Sequence, residues 1–248
     1  MIKFFRRIRE KLLSESKFSK YLFYALGEIV LVVIGILIAL QLNNWNTQKA
    51  LKQEELKIIR SLHEEFSDNL VMFDGVYNFH LNRRRSIVAV KSPEINNAPL
   101  DSLLLHTRNI GFNYTFDPYQ GIYNAIINSG KIELISNDSL KQRISKFQDL
   151  LDDYKEEEVN TMNFTQNNLY PFIIETRKLD FNTFHSITKR TEEEKNAYKM
   201  DLLDMIESNK YENILVYIYG YMEDTFTEGP ILRQEMVSII NLLESEIE

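Results

Sequence analysis

Residues 22–42, LFYALGEIVLVVIGILIALQL, constrain this chain more than any other stretch. Glu28 is the only charge in it, and between residues 29 and 40 no side chain is polar. As an α-helix rising about 1.5 Å per residue it reaches about 30 Å, the thickness of a bilayer's hydrocarbon core. A helix that is apolar all round offers no face to water. The stretch therefore predicts one transmembrane helix over residues 21–42. It separates a short basic head, residues 1–20, from a large polar region, residues 43–248.

Charge orients the span. Lys3, Arg6, Arg7, Arg9, Lys11, Lys17 and Lys20 face only Glu10 and Glu15, so the head carries +5. With Glu28 counted, residues 43–248 carry −11 of an overall −7. Basic residues beside a span stay cytoplasmic. The expected location is a bacterial inner membrane, with the N-terminus in the cytoplasm and the C-terminal domain in the periplasm. Arg6, Arg7, Arg9, Lys17 and Lys20 on one side, and Trp45 on the other, are the expected anchors at the membrane surface. Ile2, Phe5, Ile8 and Leu12 suit an amphipathic helix on an anionic leaflet, or a disordered anchor that only sets topology. A cleaved signal peptide starts in the same way, but this run is longer and no Ala-x-Ala-like site follows, so retention is expected. So acidic an outer region is not expected to bind nucleic acid.

Within the span, Ala25, Glu28, Val32, Gly35 and Ala39 recur every three or four residues and share one face. Gly35 and Ala39 form the small-xxx-small spacing that lets helix backbones approach closely. That face predicts packing against a second copy or another membrane protein. Glu28 would sit about 9 Å inside the cytoplasmic edge by helical rise. A carboxylate at that depth is neutral, paired or facing water. Glu28 is thus a candidate proton or partner site, unless the helix shifts enough for it to reach the headgroups.

Beyond the span the chain reads as all-α. Five prolines and eight glycines leave long uninterrupted runs. Ile59, Leu62, Phe66, Leu70, Phe73, Tyr77 and Leu81 mark a long amphipathic helix continuing from the membrane to residue 90, with Lys57, Arg60, Glu64, Glu65 and Asp68 on its polar face. Arg83, Arg84 and Arg85 read as its solvated end, or as an anion site. Asp117 and Pro118 are read as a helix start, Gly130 as its cap and Asn137 as the cap of the next helix. That helix carries Leu140, Ile144, Phe147, Leu151 and Tyr154 to about residue 169, ahead of Pro171. Residues 180–190 read as a loop, and Thr191 with Glu194 as a capping box. A last helical region starts at Tyr211 and is interrupted near Gly229 and Pro230. The acidic runs 156–158 and 192–194 read as solvated faces. The expected architecture is an N-terminal transmembrane helix followed by a long-helix extracytoplasmic bundle.

Catalytic signatures are missing. There is no GxSxG, GxxxxGK[ST] or GxGxxG, and cysteine is absent. His63, His80, His106 and His185 belong to no metal-ligand spacing. No enzyme activity, metal or cofactor is expected. The aromatic unit Phe112, Tyr114, Phe116, Tyr119 and Tyr123 reads as core, with a ligand pocket as the alternative.

The stretch KFSKYLFYALGEIVLVVIGILIALQLNNWN, the opening MIKFFRRIREKLL and the later DPYQGIYNAIINSGKIELISNDSL resemble one family. It is a domain-of-unknown-function family of single-pass membrane proteins of flavobacteria and related Bacteroidota. The strong resemblance covers about the first fifth of the chain, and the middle segment is looser. Leu42 stands where isoleucine is commoner, a change that conserves volume. The resemblance implies a helical extracytoplasmic domain behind one span, and it carries no activity. The expected function is therefore interaction or assembly in a membrane, as a homo-oligomer or with a membrane-protein partner. The alternatives are a proton-coupled subunit using Glu28 and a periplasmic ligand sensor.

Overall fold

The computed structural model describes residues 18–177 and 190–247, with side chains from residue 22 onward. Among these residues the chain is helical and has no strand. The head anchors Arg6, Arg7, Arg9 and Lys17, and nearly all of the loop expected at 180–190, lie outside them. The chain divides into two units, Met1–Glu55 and Leu56–Glu248.

In the first unit, residues 22–42 belong to helix α1 (Phe18–Val90). The apolar stretch has a mean hydropathy of 2.6, and none of it is buried within the chain. Trp45 is exposed, with the Lys49 ammonium 5.7 Å from its ring centroid.

The second unit is built on three long helices. They are α1 from residue 56, α4 (Asp138–Phe164) and α7 (Asn209–Ile247). Ile59, Leu62, Phe66 and Phe73 of α1 meet Leu140, Ile144, Phe147, Leu151 and Tyr154 of α4 and Leu232, Met236, Ile239 and Leu243 of α7. A second core gathers Ile87 and Val90 of α1, Ile218 and Met222 of α7, and residues of the shorter helices. Those are α2 (Leu100–Gly111), α5 (Tyr170–Thr176) and α6 (Glu192–Glu207). Helix α3 (Gly121–Asn128) closes the first core with Tyr123 and Ile126.

Several caps fall where residue chemistry puts them. Asn137 accepts from the Leu140 amide, Gly130 takes φ 71°, and Thr191 and Glu194 form a reciprocal capping box. Two boundaries differ. Helix α3 starts at Gly121, not at Asp117 and Pro118, because the preceding backbone is held by other groups. Phe116 and Tyr119 donate their amides to Glu158 and Asn69, while Asp117 accepts from Thr115 and Lys155. The first amides of α3, Ile122 and Tyr123, are both taken by the Glu65 carboxylate at 2.7 and 2.8 Å. Glu65 therefore leaves the polar face assigned to it and acts as a remote cap.

Helix α7 runs through Pro230, where the sequence predicts an interruption. Proline removes one backbone hydrogen bond. The helix persists because Thr225, Gly229 and Leu232 are all buried and hold both sides of that turn.

Candidate functional site

All three long helices switch from apolar to polar at one level, between the two cores. Helix α1 supplies His80 and Arg83, α4 supplies Glu158 and Thr161, and α7 supplies Thr225 and Gly229, all of them buried. The turn after α4 adds Thr165. The result is a buried polar layer across the domain.

Its first part is a carboxylate with two donors. Glu158 accepts from His80 Nε2 at 2.8 Å and from the Phe116 amide at 2.6 Å. Tyr154 lies beside this carboxylate, and burial followed by the Glu158 charge keeps its phenol protonated. Its second part is Arg83, which is fully buried and, among the described residues, is met by neutral side chains rather than a carboxylate. The guanidinium donates to Asn113 Oδ1 at 2.6 Å and to Thr165 Oγ1 at 2.8 Å, and Asn113 donates onward to the Tyr170 hydroxyl. Burial pushes its pKa down to about 10, against a smaller opposing pull from Tyr170 and Tyr211, so it stays charged at neutral pH. Among the described residues His80 Nδ1, Arg83 Nε and Thr161 Oγ1 are buried without a hydrogen-bond partner. Unsatisfied polar atoms are uncommon in native interiors and mark function or stored strain.

The helix itself widens at this level. Residues Thr165–Leu169 form a π-helical turn, closed by the Tyr170 amide on the Thr165 carbonyl. Pro171 explains it, since a proline ring clashes with the carbonyl four residues back in a regular α-helix. Single π turns recur at functional sites. Beside the turn a cleft of about 330 Å³ opens between α5 and α7.

Three sequence readings are corrected here. Arg83 to Arg85 are not a solvated helix end, because Arg83 is buried and Arg84 half-buried; of the three only Arg85 is exposed. Arg84 reaches α7, donating to Tyr219 and Glu223. Glu158 is not part of a solvated acidic face. The signal that finds these residues is cadence: Asn69, His80 and Arg83 continue the apolar stripe of α1, and Glu158 and Thr161 that of α4. The aromatic unit divides, with Phe116 and Tyr123 in the core and Phe112, Tyr114 and Tyr119 exposed. Those rings do not line the cleft beside the turn. His63 meets Glu244 and His106 meets Ser86, while His185 lies outside the described residues. Among the described residues no group of three or more His, Asp or Glu is placed to hold a metal ion.

The face expected in the span lies on α1, with Ala25 and Glu28 half-buried and Val32, Gly35 and Ala39 exposed. A Cβ built on Gly35 meets nothing within 4 Å, so the chain's own fold does not require glycine there.

A family model described as a family of unknown function (DUF6090) matches residues 28–161, more than half of the chain. The match takes in the apolar stretch from Glu28 and, in the polar layer, His80, Arg83, Asn113 and Glu158. It ends before the π turn and before α7. No curated protein and no solved structure matches the chain.

Proposed function

The chain belongs to the DUF6090 family of unknown function, and from that premise we propose that it is a single-pass, non-enzymatic assembly protein of a bacterial inner membrane. In this reading the basic head stays in the cytoplasm and α1 carries the helical domain into the periplasm. The observation behind it is the uncovered apolar helix. Leu31 is 64% exposed and Ile29 60%, in an apolar window of which none is buried. At about 25 cal/mol per Å² of apolar surface, such a helix is covered by lipid or by another chain. A buried core helix is excluded by its exposure. A cleaved leader fits poorly, since the stretch runs on as unbroken helix into the residues that build the core.

Topology is directly testable, because the chain has no cysteine. A membrane-impermeant maleimide applied to intact spheroplasts is expected to label Ser145→Cys in the domain. It should spare Ser14→Cys in the head until the membrane is opened. Labelling of Ser14→Cys in intact spheroplasts, or a mature chain starting beyond residue 40, overturns the reading.

Assembly is assigned to the Ala25, Glu28, Val32, Gly35 and Ala39 face. Gly35→Leu is expected to reduce the oligomer, or the captured partner, in mild detergent by about ten-fold, since a bulky side chain blocks close helix approach. Unchanged assembly removes the span from that role. A second reading makes Glu28 a proton carrier, favoured by a carboxyl set within an otherwise uncharged stretch. It goes if Glu28→Gln leaves both the cellular phenotype and partner association intact.

A further inference from the structure

The cleft beside the π turn plays no part in that reading, and its chemistry is specific. Its floor is the buried ring of Phe172. One wall is Phe164 stacked on the exposed Tyr217, with centroids 5.5 Å apart. The widened turn places Asn167 and Asn168 on the rim. Each donates its Nδ2 to the carbonyl four residues back, Asn163 and Phe164, at 2.9 Å. Their side-chain oxygens therefore remain as acceptors for something else. Glu175 adds a carboxylate at the same cleft.

Apart from the apolar Pro171 and Ile214, one lysine and the Asn213 amide, the lining consists of π faces, amide oxygens and a carboxylate. Such a set favours a cation. The lysine shows how one sits there. Lys210 extends over the floor with Nζ 5.6 Å from the Phe172 centroid and 3.6 Å from Glu175. Both members of that pair are about two-thirds exposed, so the contact is weak and readily exchanged.

We propose that this cleft binds a small organic ammonium ion, which displaces Lys210 from Phe172 and Glu175. The ligand's ammonium occupies the position Lys210 now holds, its carbon chain lies along Phe164 and Tyr217, and further N–H groups donate to Asn167 and Asn168. At about 330 Å³ the space suits a linear amine of modest length. The site stands apart from the membrane reading and survives its failure.

Titration calorimetry with spermidine tests the proposal, using the full-length chain in nanodiscs of zwitterionic lipid with empty discs as baseline. Lys210→Gln removes the internal competitor and is expected to tighten binding about three-fold. Lys146→Gln makes the same change in net charge at an exposed position on α4, away from the cleft, and should leave affinity as it is. Glu175→Gln and Tyr217→Ala should each weaken binding about ten-fold. All these side chains are exposed, so the variants are expected to fold. Absence of binding in both wild type and Lys210→Gln overturns the proposal. So does equal tightening by Lys146→Gln, or indifference to Glu175→Gln and Tyr217→Ala, either of which marks diffuse attraction to an acidic surface.

Discussion

Glu158→Ala is expected to lower the stability of the helical domain by about 3–5 kcal/mol, the cost of stranding buried hydrogen-bond donors whose acceptor is removed. The carboxylate is buried and accepts from both His80 Nε2 and the Phe116 amide, so alanine strands two donors at once. Each stranded donor costs about 1–3 kcal/mol where water cannot reach it. In a domain of this size the loss corresponds to a melting point lower by about 10 °C, measured by far-UV circular dichroism on the detergent-solubilised chain. Glu157→Ala is the control. Burial, with Asp224 and Glu156 nearby, raises the Glu157 pKa despite a hydrogen bond with Asn160. A carboxyl with a raised folded-state pKa opposes folding when charged, and that opposition fades as pH falls through the raised value. Alanine at 157 should therefore be neutral or mildly stabilising at neutral pH. If Glu158→Ala melts within about 2 °C of wild type, the polar layer is not structural in the way argued.

The contrast between positions 157 and 158 shows what sequence can and cannot reveal here. Three adjacent glutamates carry identical chemistry, and only their phase against Phe147, Leu151 and Tyr154 tells which one turns inward. Hydrophobic periodicity locates a helix and its buried face well, which is why α1, α4 and the capped start of α6 are legible. It counts a charge on that face as an interruption, when burial with partners from distant helices is the alternative. Arg83 depends on Asn113 and Thr165, thirty and more positions away, and no local pattern announces either. Glu65 is the same case, since its partners are the amides of a helix that sequence starts three residues too early. The apolar stretch of α1 is legible from composition alone, as one helix long and apolar enough to cross a membrane. The cleft was not legible at all. It follows from the width of one turn around Pro171, and the sequence marks only the proline.

Gly229→Ala is expected to destabilise the domain by about 2 kcal/mol, although the same change inside an exposed helix usually stabilises it by about 0.5–1 kcal/mol. A Cβ at 229 would lie 2.6 Å from Tyr77 Cε2 and 3.1 Å from Tyr154 Cε2. Neither ring is free to retreat. Tyr77 stacks on Phe73 at 5.6 Å and meets the edge of Phe226 at 5.7 Å, while Tyr154 is fully buried against Phe73. Helix α7 therefore touches α1 and α4 through bare backbone at the level of the polar layer. Gly75→Ala gives the opposite sign, because Gly75 is exposed on α1 and a Cβ there meets nothing within 4 Å. Thermal melts of the two variants should move in opposite directions from wild type. Adding Tyr77→Leu to Gly229→Ala should recover part of the loss, and the coupling read from that double-mutant cycle isolates the contact. A Gly229→Ala chain as stable as the Gly75→Ala chain would mean that the three helices can separate at this level without cost. Close packing around the buried Arg83 and Glu158 would then no longer account for their place in the fold.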